Sequence, residues 1–441
     1  MRLVQHAGSP ADSARPPLVH PPSAGAAATT DGLPRWSART RLAVVAGDVA
    51  RRLSRATGLG AGSVIGGRVV LRLRPGALAE LTRGRTTVLV TGTNGKTTTT
   101  AMLARAVSEL GPVAINDSGA NMPAGLVATL AGRPTAQYAV LEVDEAHLPG
   151  VLAATRPAMV VLLNLSRDQM DRMGEVRRTE RALRAALSRH SSTTVVANCD
   201  DVLVTSVDAV TPRPVWVSAG AAWQADAAAC PRCGDAVHNR SGEWWCRCGL
   251  TRPRPDWTVE QHGVRTPEGR HFPLAVGVPG PANLGNAAIA AAAAVALGAP
   301  LMPSLYRIGS ISDVAGRYRL VDHHGRRVRL LLAKNPAGWR ETLTVVGDHA
   351  GPVVVAINAR DADGRDPSWL WDVPFERLAG RQVVAGGERA VDLSVRLTYA
   401  EVPHAVVPNP LEAIAHVPPG PVDFIGNYTA FQDLTRKLHH G

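Results

Sequence analysis

Lysine is nearly absent. The 441 residues hold only Lys96, Lys334 and Lys437, against 45 arginines. The balance of 48 basic to 37 acidic residues gives a formal charge of +11, a sign usually tied to nucleic acid or an anionic membrane. The arginines, however, are spread along the whole chain and are not interleaved with aromatics, so no nucleic-acid partner is expected. They read as background composition, and a position that stays lysine against that background is a candidate for chemistry. Long apolar runs are lacking too. The longest uncharged stretch, from about His271 to Tyr306, is broken by prolines and glycines. Its unbroken apolar part, Ala287 to Leu297, falls well short of the roughly 20 residues that span a bilayer. The N-terminus has no charged region followed by an apolar core and a small-residue cleavage site, so no secretory signal is expected. A cytosolic chain keeps few disulfides, and its five cysteines then point to metal or chemistry. No internal repeat stands out.

What is present is enough apolar content, 45%, for two or three domains. Residues 1–38 are rich in Ala, Pro, Ser and Gly without an apolar period, and are expected to form a disordered tail. Residues 39–85 hold an amphipathic helix over Arg39 to Arg55 and then a glycine cluster, Gly58, Gly60, Gly62, Gly66 and Gly67. The cluster could be an anion-binding loop or a flexible connector. From residue 86 strand, turn and helix alternate, with apolar runs ending at Val90, Val143, Asn164 and Ala197; this is the pattern of a parallel sheet flanked by helices. The 86–302 region is expected to bind a nucleotide and carries a cysteine-bearing insertion over 223–256. A second, smaller α/β domain fills 303–441, with strands near 328–333, 353–357, 382–384, 405–407 and 422–425.

The first strand, Thr86-Thr-Val-Leu-Val90, runs into Thr91-Gly-Thr-Asn-Gly-Lys-Thr97 and then a helix from about Thr98. A strand, a glycine turn and a helix N-terminus place backbone N–H groups, here around Thr93, Asn94, Gly95 and Thr98, about an anion. Lys96 would neutralise the terminal phosphates of ATP, and the Thr97 hydroxyl would hold Mg²⁺. The plain alternative is a glycine turn with a surface lysine, which the strand-turn-helix context argues against. The usual loop pattern has glycine at position 90, where this chain has Val90.

Gly92-Thr-Asn-Gly-Lys-Thr97 resembles the phosphate loop of the Mur ligases and folylpolyglutamate synthases, which activate a carboxylate with ATP and join it to an amine. The resemblance assigns Glu142, in Leu141-Glu-Val-Asp-Glu145, to Mg²⁺; a carboxylate at a strand's C-terminal edge suits a hard cation. It assigns Asn283 and Asn286, in Val278-Pro-Gly-Pro-Ala-Asn-Leu-Gly-Asn286, to the adenine side, and Arg317, in Gly316-Arg317, to the γ-phosphate. The segment Asn164-Leu-Ser-Arg-Asp-Gln-Met-Asp-Arg-Met-Gly174, with Gln169 where most Mur ligases have histidine, and Gly119-Ala-Asn-Met-Pro-Ala-Gly125 resemble the MurT branch of this family. So does the short N-terminal region, which leaves no room for a domain binding a UDP-linked precursor. The fold implied is a Mur ligase central P-loop domain with an inserted zinc ribbon, followed by a Rossmann-like α/β domain.

Cys230-Pro-Arg-Cys233 and Cys246-Arg-Cys248 present four thiols in two close pairs, suited to a closed structural Zn²⁺ site. The second pair has one intervening residue instead of two. His238 could replace one thiolate, and unligated packed cysteines are the alternative. MurT chains carry such a ribbon, followed by an Arg-Pro-x-Pro-Asp segment that Arg252-Pro-Arg-Pro-Asp256 matches. Cys199 is read as a small buried residue. No lysine lies between Lys96 and Lys334, so the carbamylated lysine of other Mur enzymes is absent.

In the last region, Lys334-Asn-Pro-Ala-Gly338 resembles a MurT loop, and Lys334 could orient a phosphate or form a structural salt bridge. The loop Asn358-Ala-Arg-Asp-Ala-Asp-Gly-Arg-Asp366-Pro-Ser-Trp369-Leu-Trp371-Asp372 is dense in acids. The resemblance implies that one aspartate completes the Cys–His pair of a GatD glutaminase, with Asp366 the first choice and Asp372 the second. Asp363 is read as part of the turn with Gly364, and the tryptophan pair as a docking surface. An acidic surface loop over core tryptophans is the plain alternative. The function implied is ATP-dependent amidation of lipid II in peptidoglycan synthesis, at the inner face of the cell membrane, with ammonia from the partner. A stand-alone folylpolyglutamate synthase-like ligase and a zinc-ribbon nucleic-acid-binding ATPase are the alternatives.

Overall fold

The computed structural model describes residues 36–57, 63–116, 120–166, 173–212, 214–220, 227–261, 263–311, 318–347 and 350–439. The described chain opens with Trp36, half-buried against the core, and Ser37, whose side chain caps α1 (Ala38–Ala56) by accepting from the Thr40 N–H. Helix α2 (Ser63–Leu73) lies antiparallel to α1, and α3 (Ala77–Thr82) ties the pair down: Glu80 accepts from the Thr40 hydroxyl at 2.6 Å and from the Ser37 N–H.

A doubly wound unit follows. It comprises β1 (Thr86–Thr91), α4 (Lys96–Val107), β2 (Val113–Ile115), α5 (Pro123–Gly132), β3 (Tyr138–Glu142), α6 (Leu148–Thr155) and β4 (Met159–Leu162). It continues through α7 (Met173–Leu187), β5 (Thr194–Asn198), α8 (Val202–Asp208) and β6 (Val215–Ser218). A small hairpin, β7 (His238–Arg240) and β8 (Glu243–Trp245), precedes β9 (Trp257–Glu260), β10 (Gly263–Arg265) and β11 (His271–Pro273). The nine-stranded sheet has the order β11-β10-β9-β6-β5-β4-β1-β3-β2 and is parallel from β2 to β9. Side chains alternate as a strand's period of two requires. Val88 and Val90 face a layer that includes α4, α9 (Pro281–Ala296) and α10 (Leu301–Gly309), whereas Leu89 faces α5, α6, α7 and α8. The alanines of α9 are buried almost without exception, which lets this helix lie close on the sheet.

The second sheet holds β12 (Tyr318–His323), β13 (Arg326–Leu332), β14 (Val353–Ala356), β15 (Val383–Gly386), β16 (His404–Val406) and β17 (Gly420–Gly426). Its order is β12-β13-β17-β14-β15-β16, with only β12 antiparallel. Helices α11 (Pro336–Gly347) and α12 (Ala390–Tyr399) cover one face, and α13 (Pro410–His416) and α14 (Tyr428–His439) the other. A buried ion pair, Arg329 to Asp423 at 2.6 Å, links β13 to β17.

Three details depart from the sequence expectation. The alanine-rich helix starts at Pro281 rather than Ala287, so Asn283 and Asn286 are helical. Phe375–Leu378, expected as an α-helix, is a 3-10 turn. Gly66 and Gly67 belong to α2, while Gly58, Gly60 and Gly62 lie outside the described residues. The reason is close packing. A Cβ on Gly66 would come within 2.8 Å of the Gly47 carbonyl oxygen, and one on Gly67 within 1.8 Å of that of Ala124. These glycines let α2 touch backbone on both sides.

Gly67→Ala is therefore expected to destabilise the fold by about 1–3 kcal/mol through overpacking. Gly132→Ala, at the end of α5 with nothing within 4 Å of the added carbon, is expected to be neutral or stabilising by up to about 1 kcal/mol. Urea unfolding of the two variants checks the contrast; equal midpoints would contradict this helix packing.

Candidate functional site

Three strands deliver the site to one edge of the sheet. β1, β3 and β4 are adjacent and parallel, and the loops leaving their C-terminal ends converge where open α/β sheets hold ligands. The loop after β1 runs Gly92 to Gly95, and α4 starts at Lys96. Both glycines have positive φ, +144° and +82°. A Cβ on Gly95 would lie 2.7 Å from Asn286 Oδ1, and one on Gly92 2.9 Å from Leu163 Cβ. The loop is thus pressed between the exit of β4 and the first turns of α9. The first N–H groups of α4 have no acceptor within the helix, which is the arrangement that holds a phosphate.

Side chains from elsewhere hold the loop's shape. Asn164 accepts from the Asn94 N–H at 2.8 Å and donates to the Asn94 carbonyl at 3.0 Å. Its own carbonyl accepts from the Thr93 N–H at 2.9 Å. The Thr93 hydroxyl closes a second ring with Ser166. From the other sheet, Asn335 forms a reciprocal amide pair with Asn94, at 3.2 and 3.3 Å.

Lys96 is buried and its ammonium is fully engaged: it donates to the carbonyls of Gly92 and Thr93 and to Glu145 at 3.0 Å. Burial pushes the Glu145 carboxyl up, against the attraction of Lys96. Beside them, the Thr97 hydroxyl donates to Glu142 Oε2 at 2.8 Å, and Asn121 to Glu142 Oε1 at 3.2 Å. Asn116 clasps the Glu142 backbone from both sides, accepting from its N–H at 2.8 Å and donating to its carbonyl at 2.9 Å. A buried carboxylate next to a threonine hydroxyl is a hard-oxygen donor set that suits Mg²⁺.

The loop opens onto a cleft between the two sheets, lined by Asn94, Gly95, Thr98, Asn283, Asn286 and Lys334 among others. Asn283 caps the Pro279 carbonyl at 2.7 Å, and Asn286 leans on Asn283 at 3.4 Å. Lys334 sits over the Tyr428 ring at 4.7 Å. The structure so brings together Thr93, Asn94, Gly95, Lys96, Thr97, Thr98, Glu142, Asn283, Asn286 and Lys334. Arg317 and the Asp168–Gln169 segment lie outside the described residues. Glu145, Asn116, Asn121, Asn164 and Asn335 were not singled out from sequence. Each follows a strand or neighbours a motif, but an amide's tertiary partner has no sequence spacing to betray it.

The four ribbon cysteines converge, with all their sulfurs within 4.8 Å of one another. Cys230 and Cys248 are 3.6 Å apart, and Cys233 and Cys246 3.3 Å. Tetrahedral zinc, with Zn–S of about 2.3 Å, needs sulfurs roughly 3.8 Å apart, so the one-residue knuckle does not prevent closure. The Leu250 N–H pulls the Cys248 thiol down to about 7, while burial pushes the Cys230 thiol up; the site therefore rests on the geometry of the four sulfurs. His238 is not in the cluster; it stacks on Trp245. Arg252 and Asp256 anchor the ribbon, Arg252 to Asp200 at 2.7 Å and Asp256 to the Trp216 N–H at 2.8 Å. Cys199 is buried beside Asp200, and burial pushes its thiol up, so it is no nucleophile.

Asp366 and Asp372 stand apart from the cleft, on a 3-10 turn spanning Pro367–Asp372. Asp366 is exposed and caps this turn; the Ser368 N–H and hydroxyl, both at 2.9 Å, hold its carboxyl below the usual range. Asp372 is half-buried. Asp363 is buried and fastens the loop to the start of α14 through Thr429. The tryptophan pair divides: Trp369 packs on Trp339 in the core, whereas Trp371 is 54% exposed, its ring 5.2 Å from that of Tyr399.

Comparison with known proteins agrees in detail with this architecture. Residues 90–294 match the Mur ligase middle domain, and residues 332–431 the MurT ligase C-terminal domain. The chain is 31% identical over 378 residues to the MurT subunit of the glutamine-hydrolysing lipid II isoglutaminyl synthase of Streptococcus pneumoniae, covering 78% of this chain and 84% of that one. It is 29% identical to the corresponding subunit from Staphylococcus aureus, covering 80% and 86%. In three dimensions it is similar to MurF from Acinetobacter baumannii, with a TM-score of 0.63 at 19% identity over 85% of this chain and 81% of that one. It is equally similar to a pseudomurein peptide ligase type C from Methanothermus fervidus, with a TM-score of 0.63 at 18% identity over 81% and 78%. At such identities these structures speak for the fold alone. The fold is that of the Mur ligases, and the chain belongs to the MurT family.

Proposed function

We propose that the chain is the ligase subunit of a lipid II isoglutaminyl synthase, an ATP-dependent carbon–nitrogen ligase of peptidoglycan synthesis. It activates the α-carboxylate of the D-glutamate in lipid II as an acyl phosphate. Ammonia released from glutamine by a GatD-type partner displaces the phosphate to give D-isoglutamine. The observation that carries this reading is the meeting of the phosphate loop, Lys96 and the Thr97–Glu142 pair at one sheet edge, facing Lys334 across the cleft, in a chain of the MurT family.

In this reading ATP supplies the phosphoryl group, and the protein's task is to position it and offset its charge. The N–H groups at the start of α4 and Lys96 hold the phosphates, while Thr93 and Asn94, whose N–H groups are taken by Asn164, shape the loop around them. Thr97 and Glu142 hold Mg²⁺, with Asn121 fixing the carboxylate and Asn116 the backbone of Glu142. Asn283 and Asn286 form the adenine side, Arg317 is assigned to the γ-phosphate, and Lys334 to the transferred group. The division of labour follows residues 39–85, 86–302 and 303–441. The partner docks on the exposed face around Trp371, Val391, Val395 and Tyr399, beside Asp366 and Asp372, one of which orients the partner's histidine. The four cysteines hold a structural zinc.

Co-expression with a GatD-type glutaminase is expected to give a stable complex that amidates lipid II with ATP and glutamine. Absence of a complex, or ligation of amino acids to a folate by the chain alone, would sink the assignment. Lys96→Ala and Glu142→Gln should each lower amidation on the order of 10²–10³-fold while the complex persists. Of Asp366→Asn and Asp372→Asn, the one that removes the orienting aspartate should abolish glutamine-dependent but not ammonia-dependent amidation; loss of neither, or of both activities together, contradicts the role.

For the ribbon, elemental analysis is expected to find about one zinc per chain, and Cys246→Ser to lose it. Metal-free wild-type protein of unchanged stability would overturn the zinc site.

A further inference from the structure

Helices in soluble proteins normally turn an apolar stripe inward and a polar one to water. α1 has apolar or small residues on both sides. Its inner face, Ala43, Gly47 and Ser54, is buried, and a Cβ on Gly47 would lie 2.7 Å from the Gly66 carbonyl oxygen of α2. Its outer face carries Leu42, Val45, Val49 and Leu53, which are 70%, 61%, 50% and 61% exposed. At about 100° per residue these four fall in one sector of roughly 80°, opposite the buried side. On α2, Ile65 and Leu73 are also exposed.

The charges beside this stripe are basic but for one. Arg39, Arg41, Arg52 and Arg55 on α1 and Arg68 and Arg72 on α2 are exposed. The sole acid of either helix, Asp48, is bonded to Arg51 and Arg52. An exposed apolar stripe edged by arginines is the pattern of a helix that lies in a membrane interface and prefers anionic lipid. No helix among the described residues is long and apolar enough to cross a membrane, so this face could only lie on one.

Its position ties it to the site. α2 rests on α5 through Gly67 and Ala124. Three residues before Ala124 is Asn121, which donates to Glu142.

We infer that the outer face of α1, with the arginines of α1 and α2, is a docking surface for an anionic lipid bilayer. The bilayer's relevance to catalysis rests on the lipid-linked substrate proposed above; the binding does not. Flotation of the full chain with its glutaminase partner on bare vesicles tests it. Vesicles of phosphatidylglycerol and phosphatidylcholine in equal parts are expected to carry the protein. Pure phosphatidylcholine, or high salt, should weaken binding by more than about tenfold. The triple variant Leu42→Ser, Val49→Ser, Leu53→Ser and the double variant Arg39→Glu, Arg41→Glu should each lose binding, with unchanged thermal midpoints. Both should keep wild-type amidation of detergent-solubilised substrate, because none of these residues touches the cleft.

No binding by the wild-type protein, equal binding to both lipids, or undiminished binding by the serine variant overturns the inference. So does the finding that the serine variant breaks up a dimer or releases the glutaminase, since the face would then belong to a protein partner. If the wild-type complex binds vesicles yet amidates nothing in detergent, the enzymatic reading fails and the docking surface stands.

Discussion

A loop that holds phosphate must keep backbone N–H groups available to the ligand; in this loop those of Thr93 and Asn94 are spent on Asn164, which leaves the task to the first turn of α4. The loop's shape is imposed from outside, and amide side chains do so. Asn164 brackets Asn94 from the end of β4, while Asn335 reaches Asn94 from the other sheet. Amides suit this task because each offers a donor and an acceptor without adding charge to a site that must receive several negative charges. The same pair of contacts connects the two α/β units. Any relative movement of the units must break or carry along the Asn94–Asn335 pair, and so is felt directly at the loop.

The charged groups follow from that constraint. Lys96 cannot be left buried without partners, and the loop carbonyls of Gly92 and Thr93 with Glu145 supply them. Glu142 lies close by, but its carboxylate is directed at Thr97 and Asn121, and Asn116 pins its backbone. Two carboxylates thus have separate partners: Glu145 meets the lysine and Glu142 the Thr97 hydroxyl, where the proposed function places a cation.

The phosphate loop, Glu142, the paired asparagines and the four cysteines were legible in the sequence because each sits in a fixed order along the chain. Their supports were not. Asn116, Asn164 and Asn335 act through tertiary contacts, and a lone asparagine after a strand looks like any turn residue. Glycine disfavours helices by propensity, so a glycine cluster points to a loop or connector; at Gly66 and Gly67 tertiary packing against Gly47 and Ala124 overrides it. The two tryptophans seemed equivalent on paper. On a 3-10 turn, residues two apart face different directions, so Trp369 enters the core and Trp371 meets Tyr399 at the surface.

The scarcity of lysine gains a physical reason at the two positions where it persists in the cleft. Arginine's planar fork is suited to fixed carbonyls and carboxylates, and this fold uses it so: Arg396 bonds the carbonyls of Leu370 and Val373, Arg329 bonds Asp423, and Arg252 bonds Asp200. All three are architectural. At Lys96 one nitrogen meets two loop carbonyls and a carboxylate, and in the proposed function its charge turns from these to a phosphate. A compact ammonium on a flexible stem can exchange partners by rotating, whereas a guanidinium would have to break several directed bonds together. Lys334, held over the Tyr428 ring, keeps its ammonium on the cleft side by a contact that is soft in direction. Arginine thus serves the scaffold, while the two cleft lysines sit where the proposed chemistry asks a charge to change partners.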